Sequence, residues 1–532
     1  MTLGPLLRRR TLAASVAGMA SLSACTPGSG GDDPAPSGAS DDGSADGGGP
    51  AGAPDAVASL DLAWGQSTVT VGVRPLQRVG RHLVLTLDVQ ATDGSGDLAE
   101  DMATELGHFW GGSTVDDLAR PFLGVRLLDL SGDRVASPAM DDAGETVALS
   151  VDQQDGGSDG APRSTLQIAY GDLGTDTATL YLPKAPLVLD IPVQDGEALA
   201  PAPDVHPVDL TTISEAPVTP MVTSTFDLLA PLVEESAPES STLRIGSDVL
   251  FDSSSDELSD SAQDVLDETA RRILAYAPGT VTVTGHTDAV SDTASNLDLS
   301  VRRAEAVASA LAARVTPDDY PLLTEGKGES TPIADNDTEE GRALNRRVEL
   351  SLSSAPREGS STSGDASLPP FDGQVATGAD GVTVDLRSGR QVLLRVREAR
   401  VITEHLVVTF EATMQDDEST DGVSAGLDGF GAAPSPDSSG LALHETNGGI
   451  GVLQGRNVTL PALHRPVEDE SAALRPLTDL STNARMDGGV PRTLELVFPG
   501  GLDGIAPGEV VTLQHDDYGE SYFRLTDISI AD

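Results

Sequence analysis

Apolar residues along the chain follow two different periods, separated by tracts with none. From 57 to 196, short runs alternate apolar and polar positions, as in Leu83-Val84-Leu85-Thr86-Leu87, Thr177-Ala178-Thr179-Leu180-Tyr181-Leu182 and Leu187-Val188-Leu189-Asp190-Ile191. Strands of that length, separated by turn residues, predict a β-sandwich. Residues 373–532 return to the same pattern, for example Thr493-Leu494-Glu495-Leu496-Val497-Phe498. Over 241–354 the period lengthens to that of a helix. Leu258, Ala262, Val265, Leu266, Thr269 and Ile273 share one helical face, with Ser259 as N-cap. A second helix is expected to start at the cap Ser300 and to bury Val301, Ala304, Val307, Ala308 and Leu311. Val281-Thr282-Val283-Thr284-Gly285, Leu322-Leu323 and Val348-Glu349-Leu350-Ser351-Leu352 read as strands. The order β-α-β-α-β predicts a two-layer α/β sandwich.

Three tracts lack periodicity. Residues 25–56, after Cys25 and Thr26, are Gly, Ser, Asp, Ala and Pro and predict a disordered tether. Residues 197–240, rich in Pro, Ala and acids, and 355–372, rich in Gly and Ser, read as linkers. The expected protein is therefore multidomain, a central α/β sandwich flanked by two all-β sandwiches.

The two β regions are related to each other. VRPLQRVGRHLVLTLDVQATD (73–93) aligns without a gap with VREARVITEHLVVTFEATMQD (396–416), pairing His82 with His405, Leu83 with Leu406, Val84 with Val407 and Thr86 with Thr409. This predicts a duplicated domain. It resembles the immunoglobulin-like sandwiches of secreted bacterial proteins, which implies a fold and no activity. His82 and His405 have no Cys or second His at ligand spacing and read as polar-face strand residues, so no metal is expected there. Acidic loops follow each long strand, with Asp93 and Asp97 in one and Asp416, Asp417 and Asp421 in the other. They read as solvated turns, with calcium as the alternative, since the alternating ladder and closing Glu of a calcium loop are missing.

The N-terminus supplies an address. Arg8, Arg9 and Arg10 precede a short stretch of small, mildly apolar residues, Thr11 to Ser23, and 1–24 reads as an export signal. The Arg pair followed by Thr-Leu also resembles a twin-arginine signal. Leu22-Ser23-Ala24-Cys25 looks like a bacterial lipobox, and Cys25 is the single cysteine of the chain. An unpaired thiol is seldom kept in an oxidising compartment, so its consumption by lipid accounts for it; an incidental cysteine in a secreted protein is the bland alternative. Diacylglycerol on Cys25 would anchor the chain, since two acyl chains hold where one does not. No other apolar run is long enough to span a bilayer. The formal net charge of −51 argues against nucleic acid as a partner, since binding phosphates needs a basic face.

The central region carries the chemistry. Phe251-Asp252, Gly285-His286-Thr287-Asp288, Asn296, Leu299-Ser300, Arg303-Ala304, Gly326-Lys327-Gly328-Glu329 with Pro332, Asn336, and Gly341-Arg342 with Asn345-Arg346-Arg347-Val348-Glu349 occur in this order. The series resembles the OmpA-like peptidoglycan-binding domain, of the kind found in peptidoglycan-associated lipoproteins, over roughly a fifth of the chain. One departure is Ser291, where members carry Gly and a positive φ is allowed.

The resemblance implies a binding site at Asp288 and Arg303. On a helical wheel centred on Val301, Val307 and Leu311, Arg302 lies about 165° away and faces water, while Arg303 lies about 95° away at the boundary. An Asp and an Arg held apart form a template for a zwitterion, Asp288 taking an ammonium and Arg303 a carboxylate in a fork. A diaminopimelate residue of a peptidoglycan stem peptide offers both groups at one stereocentre. The competing reading is a direct Asp288–Arg303 bridge with a structural role. Thr287 belongs to the same motif, and Asn296, Asn345 and Arg346 either orient the loop or touch the peptide.

EGKGES (325–330) lacks the phosphate-loop pattern and reads as a turn before Pro332. No cofactor, catalytic triad order or metal spacing is visible, and the chain reads as non-catalytic. The expected function is a lipid-anchored envelope protein that tethers a bacterial membrane to peptidoglycan. The alternative is an adhesion or protein-binding lipoprotein, whose β domains capture an unknown envelope partner while the central domain only localises them.

Overall fold

The computed structural model describes residues 55–64, 67–91, 122–153, 162–183, 185–228, 232–238, 240–355, 368–385, 390–416, 450–468, 474–477, 488–489, 491–502, 504–515 and 523–531. The leader, Cys25, nearly all of the tether, and Asp93, Asp97, Asp417 and Asp421 of the acidic loops lie outside them.

Alternating apolar residues close the N-terminal module. His82–Ala91 is flanked by Ser67–Val73 and Arg163–Gly171, both antiparallel to it. Its hairpin partner Leu76–Val79 runs parallel to Val188–Asp195. Leu62, Val71, Leu83, Leu85 and Leu87 meet Leu127, Ala136, Leu180 and Ile191 from the other half of the sheet in one core.

The C-terminal module repeats this plan. Gln391–Ile402 and His405–Met414 form the matching hairpin, with Arg492–Phe498 antiparallel on its far side. The hairpin turns contain equivalent residues with positive φ, Gly80 and Thr403. A parallel bridge from Ala399 to Ile530 stands where Leu76 meets Val193 in the first module. Val392, Leu406, Val408 and Phe410 of this sheet pack on Val452, Leu513, Phe523 and Leu525 of a second one.

That second sheet also runs through the centre of the molecule. Its strands there are β1 (Thr223–Asp227), β2 (Leu232–Ala237), β3 (Ser240–Gly246), β4 (Val281–His286), β5 (Leu322–Gly328) and β6 (Arg347–Leu352), in spatial order β5-β4-β6-β3-β2-β1. β1 then pairs with Asn457–Thr459, so hydrogen bonding continues from the central unit into the C-terminal module. Helices α1 (Ala262–Leu274) and α2 (Thr293–Leu311) supply Val265, Leu266, Ile273, Ala304, Val307 and Leu311 to a core with Leu243, Ile245, Val281, Val283, Val348 and Leu350. Among the described residues, no helix is long and apolar enough to cross a membrane.

Three expectations are corrected. Residues 197–240 are not a featureless linker: Ile213–Glu215 and Val218–Pro220 are strands, as are β1 and β2. Earlier in the tract, Ala198, Val208, Leu210, Ile213 and Ala216 cover Val84 and Ala169 of the N-terminal sheet. Two of the acids that made the tract look solvated have partners, with Glu234 bound to Arg272 and Glu235 to Arg244. Second, α2 starts well before Ser300, because Asp292 caps it by accepting from the Ser295 N–H at 3.1 Å. Ser300 is interior and fully buried, accepting from the Gly328 N–H at 2.9 Å.

Third, His405 is not on a solvated face. It is 1% exposed, with Nε2 3.0 Å from Asp133 Oδ1 of the other module. The face it shares with Val407 and Val497 is turned onto Leu128, Val135, Tyr181 and Met221 of the N-terminal module. Apolar burial between the two repeats encloses the histidine with them.

Candidate functional site

The site lies where β4 ends and α2 passes over it. β4 alternates, with Val281 and Val283 in the helix-side core and Thr282 and Thr284 facing the other way. At Gly285 and Gly326 the helix comes down onto the sheet. A Cβ on Gly285 would sit 2.1 Å from the Ser300 carbonyl oxygen, and one on Gly326 would sit 2.7 Å from the Val301 nitrogen. Only glycine admits that approach, which fixes the height of α2 above the loop after β4.

Asp288 sits in that loop. Its Oδ2 accepts from Arg346 Nη1 at 2.8 Å, and Oδ1 accepts from the Val290 N–H at 3.3 Å. Asn296, 3% exposed, donates from Nδ2 to the carbonyls of Asp288 at 3.1 Å and Ser291 at 3.2 Å, and to the Glu329 carboxylate. Asn336 Oδ1 receives the Ala289 N–H at 3.0 Å. The loop is thus shaped by side-chain amides, with Ser291 sitting where the Asn296 amide clasps its carbonyl. Thr287 is buried; its N–H reaches the Gly328 carbonyl at 2.9 Å, while its Oγ1 has no hydrogen-bond partner.

Arg303 is 4% exposed, deeper than the helical wheel places it. Its Nε donates to the Ser255 carbonyl at 2.9 Å, and its guanidinium stacks 5.1 Å from the Phe251 ring centroid. Among the described residues, its two Nη groups have no protein acceptor. Burial lowers its pKa, opposed by the charges of Asp248, Asp288 and Asp256, while Arg346 adds to the lowering. It remains a cation at any physiological pH. Arg302, by contrast, faces outward and pairs with Asp298 and Asp256.

Asp288 and Arg303 therefore sit in the same electrostatic neighbourhood without bonding to each other. The direct bridge is not formed; Asp288 is held by Arg346 instead. Arg346 is itself forked onto Asp248, with Nε 3.0 Å from Oδ1 and Nη2 2.7 Å from Oδ2, and lies 3.3 Å from Glu339. The hydrogen bond to Asp248, outweighing partial burial, raises its pKa. Asn345 is fully buried and serves the scaffold: Oδ1 accepts from Ile333 N at 2.8 Å and Ala334 N at 3.0 Å, and Nδ2 donates to the Ala334 carbonyl. It cannot reach a ligand.

Sequence reasoning missed Asp248, Asp256 and Glu339, which surround the two arginines. Their only signal was acidity in a chain full of acids. The role of Phe251 was also missed, although it opens the motif series.

Behind the loop, the polar face of the sheet carries a second charge cluster. Glu349 binds Arg347 at 2.7 Å and lies 3.5 Å from both Arg244 and His286. Burial works to raise the Glu349 carboxyl, but His286, Arg347 and Arg244 hold it well below the usual range. Among the described residues, no group of three or more His, Cys, Asp or Glu converges as a metal site.

Comparison with known proteins places this region. The chain matches the OmpA family over residues 250–346. It is 40% identical over 111 residues to the probable lipoprotein YiaD of Escherichia coli K12, covering 21% of this chain and 50% of that protein. It is 43% identical over 79 residues to the peptidoglycan-binding protein ArfA of Mycobacterium tuberculosis, covering 15% of this chain and 24% of that protein. With outer membrane porin F of Pseudomonas fluorescens the identity is 38% over 117 residues, or 22% and 35% of the two chains. The cell wall anchor of the T6SS from Pseudomonas aeruginosa is similar in structure at 35% identity, over 23% of this chain and 88% of that one, with a TM-score of 0.21. The chain thus spans only 24% to 50% of the length of these three relatives. Residues 250–346, which carry Asp288 and Arg303, are an OmpA-family domain.

Proposed function

We propose that this chain is a non-catalytic, lipid-anchored envelope protein that binds the diaminopimelate residue of a peptidoglycan stem peptide. The observation that carries the proposal is the state of Arg303: a buried guanidinium with both Nη groups unpaired, beside a carboxylate already oriented by another arginine. The Nη groups are not among the buried unpartnered atoms and so are left to solvent. A ligand carboxylate received in the fork replaces that solvent with a charge-assisted pair, and the ligand ammonium finds the Asp288 carboxylate. Charge-assisted pairs of this kind contribute about 1.5–3 kcal/mol each, enough with backbone contacts for affinity near the micromolar range.

The relative ArfA is named for peptidoglycan binding, and YiaD is named a probable lipoprotein. Those names, with the lipobox at Cys25, support the anchor and the wall as the two ends of a tether. The bound wall would hold the protein between membrane and peptidoglycan.

Co-sedimentation of the full chain with insoluble peptidoglycan tests this reading. The wild-type protein should pellet with the wall. Asp288→Ala and Arg303→Ala should both stay in the supernatant while retaining the wild-type circular dichroism spectrum. Pelleting of both variants like wild type would remove the site assignment.

A further inference from the structure

We infer that Arg346 is a positioning residue that keeps the site open, by holding Asp288 away from Arg303. The inference rests on the stem-peptide reading of the site but concerns the unliganded state. Opposite charges at the edge of a low-dielectric pocket attract strongly, and nothing in the chemistry of Asp288 and Arg303 forbids their pairing. They are close enough for Asp288 to act on the Arg303 charge, yet they form no bond.

Two sets of restraints keep them apart. On the Arg303 side, Nε is tied to the Ser255 carbonyl and the guanidinium carbon lies over the Phe251 ring. On the Asp288 side, the backbone is clasped by Asn296, and Oδ2 is taken by Arg346 Nη1 at 2.8 Å. Arg346 cannot follow Asp288 toward Arg303, because its other edge is forked onto Asp248 and touches Glu339. Its charge also repels Arg303. The bidentate anchor matters here: a guanidinium can hold one carboxylate with one edge and present a further N–H to another, which an ammonium does with less geometric control.

Without the Arg346 charge, Asp288 has one oxygen free, and Arg303, whose charge it already acts on, has Nη groups without a protein acceptor among the described residues. The pair then closes on itself, and a zwitterionic ligand must break that bridge before it can bind. Arg346 thus offsets part of the Asp288 charge so that the site stays pre-formed, with binding energy spent on the ligand rather than on opening.

The test uses the full chain in two readouts. In calorimetric titration with a diaminopimelate-containing muropeptide, Arg346→Gln should bind about tenfold more weakly, and Arg346→Lys should recover part of the loss. A merely structural brace would give the first result as well, so the second readout is a double-mutant cycle of Asp288→Asn and Arg303→Gln on melting temperature. In the wild-type background the two shifts should be only weakly coupled; in the Arg346→Gln background the coupling should grow, because the new bridge adds to it. Wild-type affinity in Arg346→Gln, or coupling no larger in that background than in the wild type, would overturn the inference. Failure of the wild-type protein to bind the muropeptide would instead count against the stem-peptide reading, and the cycle would still report on Arg346.

Discussion

Gly285 and Ser300 touch backbone to backbone: a Cβ on the glycine would lie 2.1 Å from the serine carbonyl oxygen and 2.9 Å from its carbonyl carbon. The contact sets the distance between the loop holding Asp288 and the helix turn holding Arg303. Neither partner is a flexible side chain, so an added methyl must push α2 off β4. We expect Gly285→Ala to destabilise the central unit by about 1–3 kcal/mol, as overpacking does, and to weaken wall binding although no ligand-facing atom has changed. Thermal melting and co-sedimentation of the same variant check both parts.

The junction between the central unit and the C-terminal module makes a separate prediction. Arg272 of α1 is fully buried and binds Glu234 of β2 at 2.7 Å, Glu268 of its own helix at 3.0 Å and Asn457 of the C-terminal module at 2.7 Å. Tyr276 closes the cluster by donating to Glu234 at 2.5 Å, and burial together with that glutamate pushes its phenol pKa up. Removing one member of such a cluster strands the others. Arg272→Ala should cost about 3–5 kcal/mol, read as a lowered denaturation midpoint. It should also expose the β1–Asn457 seam to limited proteolysis; an unchanged midpoint and digestion pattern would argue that the two units are held by the sheet alone.

How much of this was legible in the sequence depended on range. Local periodicity carried the alternation of helices and strands over 241–354, and it turned Arg302 outward, because each depends on residues a few positions apart. The helix start was misplaced because Ser300 and Asp292 are both capping residues; buried Asn296 decides between them, and a polar residue gives no apolar signal. The duplicated hairpin was legible because both copies keep the same in-out alternation and the same turn position. The strands within 197–240 were not, since Glu234 and Glu235 read as solvent-facing until Arg272 and Arg244 are brought to them by folding. The Arg346 clamp on Asp288 was beyond reach for the same reason: it joins the loop after β4 to the residue just before β6. Pattern reveals which residues are buried, whereas pairing among many acids and few bases is decided by tertiary approach.

Stability should fall on mild acidification. Burial lowers the pKa of His286, with Arg347 and Arg244 also acting against its protonation, while Glu349 opposes. His464 is fully buried; enclosure, with Arg126 and Arg475 nearby, holds its pKa well below the ordinary value. Both folded-state pKa values are depressed, so the unfolded chain binds protons first as pH falls below about 6.5. Each histidine then removes up to about 1.4 kcal/mol per pH unit until its folded form titrates. Glu349, also depressed, adds a further loss below about pH 4. The melting temperature should be level above pH 7 and decline from 6.5 to 5, with a shallower decline in His464→Gln; a flat profile in the wild-type protein would contradict this assignment.

Removing single charges from α2 should distinguish the site from the surface. Arg302 with Asp298 and Asp256 is a solvent-exposed cluster, and Arg302→Gln should leave both stability and wall binding essentially unchanged. Arg303→Gln, one residue further along, should abolish binding. Equal effects of the two substitutions in co-sedimentation would mean that the outward face of α2, rather than the pocket beneath it, meets the wall.

The most direct test of the account is calorimetric titration of the full chain with two muropeptides that differ only at the third stem residue, diaminopimelate in one and lysine in the other. Lysine keeps the ammonium and lacks the carboxylate, so the Nη groups of Arg303 would stay unpaired. The diaminopimelate form should bind with near-micromolar affinity and the lysine form at least about tenfold more weakly, and Arg303→Gln should lose that preference. Equal affinity for the two muropeptides in the wild-type protein would contradict the account.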